Sequence, residues 1–312
     1  MDFLFPGSHD KPKTDYFQVI AIACLNQSWK QIWYTADIFI LITGLMANAA
    51  LLWLLFRERR KLSASQILGV NLAVMDLVFL SLMPFSLTSD AQQINQNINT
   101  TESETSPTPK APITEAKDVF SMLNLTGCPL LLACMCIERY LAVVRPILYL
   151  RIRRWEYPTA VSAAVWMISL SFCLATGLLK DMVLMMVPVS ITISCLFILM
   201  LACLRGVVWS LWQQSPALIT TGNHAPSVSP LKRRAVGNVL AVVGPAVMVY
   251  LPVLVMFPLV LYKFLVNKSL DSVMCTVFEL SNLFPKFGVL IGPMFYFSKA
   301  RQICCPGVKD KK

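Results

Sequence analysis

The sequence predicts an all-α membrane protein, a bundle of seven spanning helices with the N-terminus outside. Three observations carry that prediction. The 312 residues are 56% hydrophobic and only 14% charged, where a soluble domain carries about 25% charged residues. Apolar runs of about 20 residues recur without period-2 alternation, which suits spanning helices and excludes barrel strands. The net charge of +10 gathers in short stretches after alternate apolar runs, the positive-inside pattern of membrane proteins. That placement points to membrane lipids as surroundings and away from nucleic acid.

Taken in order, residues 1–32 are a polar, mixed extracellular segment with a glycosylation sequon at Asn26. No cleavable signal peptide is expected, because the short apolar stretch from Phe17 to Leu25 lacks a basic region before it. The seven-helix domain covers 33–298. Its first span, 33–56, ends at the basic cluster from Arg57 to Lys61. The second, 66–88, carries Asn71 and Asp76 inside an apolar run. Residues 89–112 are a Ser/Thr/Gln/Asn/Pro-rich insert with a sequon at Asn99, too polar to build a core and expected to be mobile.

The third span is 115–142 and the fourth 157–178. A break at Gly177–Asp181 separates the fourth from the fifth, 182–204. Length forces that split: one helix over 161–204 would be about 66 Å long, against a hydrocarbon core of about 30 Å. Residues 205–234 are polar and basic and end on Lys232, Arg233 and Arg234. The sixth span, 236–263, contains Pro245 and Pro252; a sequon at Asn267 follows, and the seventh span is 271–298. With the N-terminus outside, the basic loops fall inside and the sequons at Asn26, Asn99 and Asn267 outside. Asn124 also begins a sequon but lies within the third span, where it is not expected to be used.

The third span ends on Glu138-Arg139-Tyr140, followed by Pro146 and the basic Arg151, Arg153 and Arg154. This resembles the Glu/Asp-Arg-Tyr motif and second intracellular loop of rhodopsin-like G-protein-coupled receptors. Other landmarks of that family stand at matching offsets: Asn48, Asp76, Trp166, Pro252, Pro293 and Tyr296 of Pro-x-x-Tyr. Residues 299–312 resemble the amphipathic eighth helix and cytoplasmic tail, with Cys304 and Cys305 suited to palmitoylation. The resemblance implies a plasma-membrane receptor whose Arg139 pairs with Glu138 at rest and turns to a heterotrimeric G protein on activation. Ile147 would press into the G protein beside Pro146, with Lys232 and Arg233 at the edge of the cleft. Asp76, Tyr250, Pro252, Pro293 and Tyr296 would form the relay between the two ends.

The chain also departs from the family pattern. Thr114 stands where a cysteine usually caps the third span, Tyr250 where a tryptophan precedes the sixth-span proline, and Gly292 where an asparagine precedes the seventh-span proline. Leu196 replaces a tyrosine of the fifth span, and Lys232 an acid of the sixth that often restrains the arginine.

Several side chains are candidates for a ligand pocket or an ion. Asp76 is a carboxylate at membrane depth, which is costly and functional by default. In the family it binds sodium, here with Asn124 as a second ligand; otherwise it ties helices together by hydrogen bonds. Lys286, seven residues before Pro293, holds the offset of the retinal lysine of opsins. A Schiff base needs a carboxylate counterion, and the like-charged Lys117 at the usual counterion position disfavours retinal. Glu279, two turns back on the same face, is one candidate partner of Lys286; an interhelical hydrogen bond and an acidic ligand are the others. Ser121 replaces the amine-binding aspartate of aminergic receptors, so Lys117 and Lys286, with Tyr250 at the pocket floor, favour a small acidic or lipid-like ligand. Cys24 and Cys275, both outside, can pair in an oxidising exterior, and related receptors often link these regions. Six other cysteines, Cys128, Cys134, Cys136, Cys173, Cys195 and Cys203, read as buried small apolar residues.

No zinc set and no hydrolase constellation can be assembled, so an enzyme is not expected. The reading is a receptor that transmits an extracellular ligand signal to a G protein. Its competitors are a non-signalling or constitutively active relative, an opsin-like photoreceptor, and a transporter, which the lack of internal repeats disfavours.

Overall fold

The structure is a computed structural model, and it describes residues 27–57, 63–99, 112–152, 154, 156–179, 182–213, 230–267, 271–294 and 296–297. Among these residues the regular structure is helical throughout, without strands. Seven helices are long and apolar enough to cross a membrane. The first is Gln27–Arg57, the second Ala64–Asn99, the third Pro112–Val144, the fourth Glu156–Leu179, the fifth Met182–Gln213 and the sixth Pro230–Asn267. The seventh begins as Ser272–Lys286, tightens into a 3-10 turn over Phe287–Leu290, and continues helical to Met294. A short loop helix, Pro146–Ile152, follows the third.

A bundle in lipid must satisfy its backbone within each helix, because the hydrocarbon offers no hydrogen bonds. Its helices then associate by packing and a few polar ties. The third helix is the axis. Its apolar window is 67% buried, against 22–44% for the other spans, and it packs on the second, fourth, fifth and sixth helices. The main core joins residues from all seven, among them Leu51, Leu72, Met75, Leu131, Val165, Ile193, Tyr250 and Ile291. A smaller cluster of Ile40, Leu80, Met83 and Val289 joins the first, second and seventh helices. Large apolar side chains such as Phe39, Trp53, Met167, Leu178 and Trp209 point outward, the faces that meet lipid.

Glycines set two of the close approaches. A Cβ on Gly44 would meet Leu80 at 2.9 Å, and one on Gly292 would meet Leu72 at 2.9 Å. A side chain at either position would force a buried leucine of the second helix to shift, so the first and seventh helices lie close against the second. Asn48 binds the first helix to the seventh. Pro293 has no N–H to offer the carbonyl four residues before it, and Asn48 Nδ2 donates to that carbonyl, Val289 O, at 2.9 Å.

The first six spans fall where expected and run past the expected bounds at one or both ends, while the seventh begins at Ser272. The second helix runs on to Asn99, past the expected end at 88, because residues 89–99 contain neither glycine nor proline to stop it. At its other end the Ser63 N–H donates to Gln66 Oε1 at 2.8 Å, the backbone arm of a capping box. The expectations for residues 1–26, including Cys24 and Asn26, for 100–111, and for the eighth helix with Cys304 and Cys305, fall outside the described residues. So do the side chains of Asn99, Lys117, Lys232, Arg233 and Asn267.

Candidate functional site

Polar side chains gather at three levels of the bundle. At one end, Arg139 lies on the last turns of the axial third helix. Its Nε sits 3.3 Å from Glu138 Oε2, and its Nη2 donates to the hydroxyl of Ser65 on the second helix. The other Glu138 oxygen accepts from Tyr149 of the loop helix at 3.0 Å. Tyr296, at the end of the seventh helix, donates to the Ser65 carbonyl. Tyr140 packs on the fifth helix, where a Cβ on Gly206 would lie 2.5 Å from its ring. Beyond the bundle the loop helix presents Ile147, 86% exposed, with Leu148 and Leu150, and the exposed Arg145, Arg151 and Arg154 lie around it.

At mid-depth Asp76 is fully buried. Its Oδ1 accepts from Asn124 Nδ2 at 3.1 Å and from Cys128 Sγ at 3.1 Å. Among the described residues its Oδ2 has no hydrogen-bond partner, and neither has the buried hydroxyl of Tyr250. That hydroxyl lies against the seventh helix, where a Cβ on Gly288 would be 3.0 Å away. One level aside, Trp166 Nε1 donates to Asn71 Oδ1 at 3.0 Å and ties the fourth helix to the second. A sodium ion needs a shell of oxygens. Here Asn124 presents nitrogen and Cys128 sulfur to Asp76, and Gly292 brings no side chain. The residues present do not fit that ion.

Towards the opposite end, Lys286 Nζ is held by both oxygens of Asp37, at 2.6 and 2.7 Å. Asp37 is on the first helix, so the pair is the interhelical alternative and not the Glu279 one. Periodicity within one helix pointed to Glu279; the first helix packing on the seventh decides otherwise. Both side chains are partly exposed, 29% for Lys286 and 17% for Asp37.

A model of the rhodopsin family of seven-transmembrane receptors matches residues 47–296. The chain belongs to that family. Its members are receptors and not enzymes, and this one is a multi-pass protein of the plasma membrane. Proteinase-activated receptor 3 from Homo sapiens is 30% identical over 46% of this chain and 35% of its own length. G-protein coupled receptor 15 from Mus musculus is 29% identical over 48% of this chain and 38% of its own. G-protein coupled receptor 183 from Mus musculus is 23% identical over 41% of this chain and 33% of its own. These alignments span well under half the length of the curated relatives.

Within the rhodopsin-family bundle, the motif residues Glu138, Arg139, Tyr140 and Tyr296 meet at one end, with Pro146 and Ile147 exposed beside them. Asp76 and Asn124 touch at mid-depth, and Tyr250 is buried on the neighbouring helix. Pro252 and Pro293 stand inside their helices. Ser121 is half-buried on the third helix and Glu279 half-buried on the seventh. Two binding partners were missed from sequence: Ser65 and Asp37, each on a helix remote in the chain from its cation. Cys275 is disulfide-bonded; its partner is outside the described residues, where the expected Cys24 also falls. Cys128, Cys134, Cys136, Cys173, Cys195 and Cys203 are free thiols. Of these Cys195 is exposed on the lipid side of the fifth helix, a correction to its reading as a core residue.

Proposed function

We propose that this chain is a G-protein-coupled receptor that stands with its N-terminus outside and activates a heterotrimeric G protein through the Arg139 end of the bundle. One observation carries the reading. A guanidinium at the tip of the axial helix is held by Glu138 and Ser65 beside an exposed apolar and basic loop helix. Such a group binds strongly once released, since a planar donor fork suits carbonyl and carboxylate acceptors on a partner. Ile147 supplies the apolar anchor of the same surface.

The mechanism is a shift of population between two packings of the bundle. A ligand at the other end favours a packing in which the sixth helix bends outward near Pro252, where the proline leaves a carbonyl of the preceding turn without its usual donor. Arg139, with Lys232 and Arg233 at the cleft edge, then meets the G protein. Lys286, with Lys117 on the third helix, supports a small acidic or lipid-like ligand. An acidic group on that ligand would compete with Asp37 for Lys286. Asp76 acts as an interhelical hydrogen-bond tie, since its neighbours do not supply a cation's oxygen shell.

A constitutively active or non-signalling relative is the second reading, favoured by Tyr250, Gly292 and Lys232 at relay positions. The experiment that tests the coupling is basal nucleotide exchange in cells bearing wild type and Arg139→Ala at equal surface level, across a panel of Gα subunits. Loss of a central arginine anchor lowers exchange by about tenfold or more. Equal, measurable exchange from both proteins would remove Arg139 from the coupling surface. Silence from both favours ligand control or a non-signalling relative.

A further inference from the structure

We propose that Ser65 is the resting latch of the Arg139 end, a positioning residue whose hydroxyl holds Arg139 and whose carbonyl holds Tyr296. Glu138 cannot serve alone. It is the chain neighbour of Arg139, and their contact closes within one helix and ties no two helices together. Ser65 stands on the second helix, is 1% exposed, and reaches both other helices. The Arg139 guanidinium donates to its hydroxyl. The Tyr296 hydroxyl donates to its carbonyl. A helical carbonyl already serves the N–H four residues on, here Gly69, but keeps a second lone pair for a side-chain donor.

Gly69 makes the second arm possible. It lies one turn beyond Ser65 on the same face, and a Cβ there would overlap the Tyr296 ring. The seventh helix therefore lays its tyrosine across a bare turn of the second to reach Ser65. One residue thus gathers the ends of the third and seventh helices, and neither end leaves without breaking its bond to Ser65. The latch answers a departure in the sequence. Lys232 stands at the sixth-helix position of a restraining acid, and a cation cannot hold Arg139, so the restraint moves to the second helix.

This inference rests on the coupling role of Arg139, so its test has an arm that needs no G protein. Basal nucleotide exchange is compared for wild type, Ser65→Ala, Ser65→Thr and Gly69→Ala at equal surface level, with Arg139→Ala as the coupling control. Ser65→Ala loses only the hydroxyl and should raise exchange about five- to tenfold, the effect of one charge-assisted hydrogen bond on a two-state balance. Ser65→Thr keeps the hydroxyl and should stay near wild type, which a merely structural loss would not restore. Gly69→Ala should also raise exchange by displacing Tyr296. In parallel, hydrogen exchange of the purified protein is followed over residues 291–297. It should quicken in Gly69→Ala and remain slow in Ser65→Thr.

The latch is overturned if Ser65→Ala leaves exchange at the wild-type level while Arg139→Ala changes it. It is equally overturned if residues 291–297 exchange alike in wild type and Gly69→Ala. If every protein, Arg139→Ala included, gives the same measurable nucleotide exchange, the coupling reading fails instead. The hydrogen-exchange arm then decides the latch by itself.

Discussion

Asp37 and Lys286 sit at opposite ends of the sequence, 249 positions apart, and meet at 2.6 Å across the first and seventh helices. Removing either member leaves a charge in a half-buried site without its counterion, which costs far more than an exposed pair contributes. Asp37→Asn and Lys286→Met should each lower the melting temperature of the purified receptor. The double substitution should lose less than the sum, by a coupling of about 1 kcal/mol. Strict additivity would show that the pair contributes nothing to stability. Lys286 itself was legible, because its offset from Pro293 marks it. Its partner was not: periodicity reports which residues share a helix face and says nothing of which helix packs there. Ser65 escaped notice for the same reason, a common serine whose role exists only through Arg139 and Tyr296. Asp76 and Asn124 were paired in the sequence only as ligands of one ion, through the family resemblance; their direct hydrogen bond follows from burying a carboxylate beside an amide.

At the scale of elements, prolines decide where helices need outside help. The seventh span carries Pro285 and Pro293 with a 3-10 turn between them over Phe287–Leu290. That segment has lost regular backbone bonds, and its Val289 carbonyl is served by the first helix through Asn48. Asn48 Nδ2 also reaches Gly44 O at 3.0 Å, so a single amide satisfies carbonyls on two helices. Asn48→Leu keeps the bulk and removes the donor, leaving a buried carbonyl unpaired at about 1–3 kcal/mol. The expected result is a melting temperature lower by roughly 2–8 °C in detergent, with Asn48→Asp, which also lacks the amide donor, falling with it. An unchanged melting temperature in both would mean that the 3-10 turn does not depend on Asn48. The apolar stretches of the spans were legible from hydropathy, whereas their polar ends were not. Hydropathy locates the bilayer and not the last helical residue, so the second helix outlasts its apolar part and reaches Asn99.

For the whole molecule the remaining variable is which end faces the cell exterior, and the helices turn it into a measurable difference between sequons. Ser65, Arg139 and Tyr296 meet at one end, so the far ends of the second and sixth helices, Asn99 and Asn267, lie together at the other. The apolar stretch of the second helix ends near Phe85, and a rise of 1.5 Å per residue lifts Asn99 about 21 Å beyond it. Asn267 stands about 10 Å past Val260, the end of the sixth apolar stretch. Asn124 is 3% exposed inside the bundle. If the basic loops lie inside the cell, Asn99 should carry a glycan on most molecules and Asn267 a less complete one, being nearer the headgroups. Asn99→Gln should then remove one glycosidase-sensitive step on a gel, Asn267→Gln a fainter one, and Asn124→Gln none. A chain whose mobility ignores both glycosidase and Asn99→Gln would place that end in the cytoplasm. Arg139 would then face away from any G protein, and the proposed coupling would fail with the orientation.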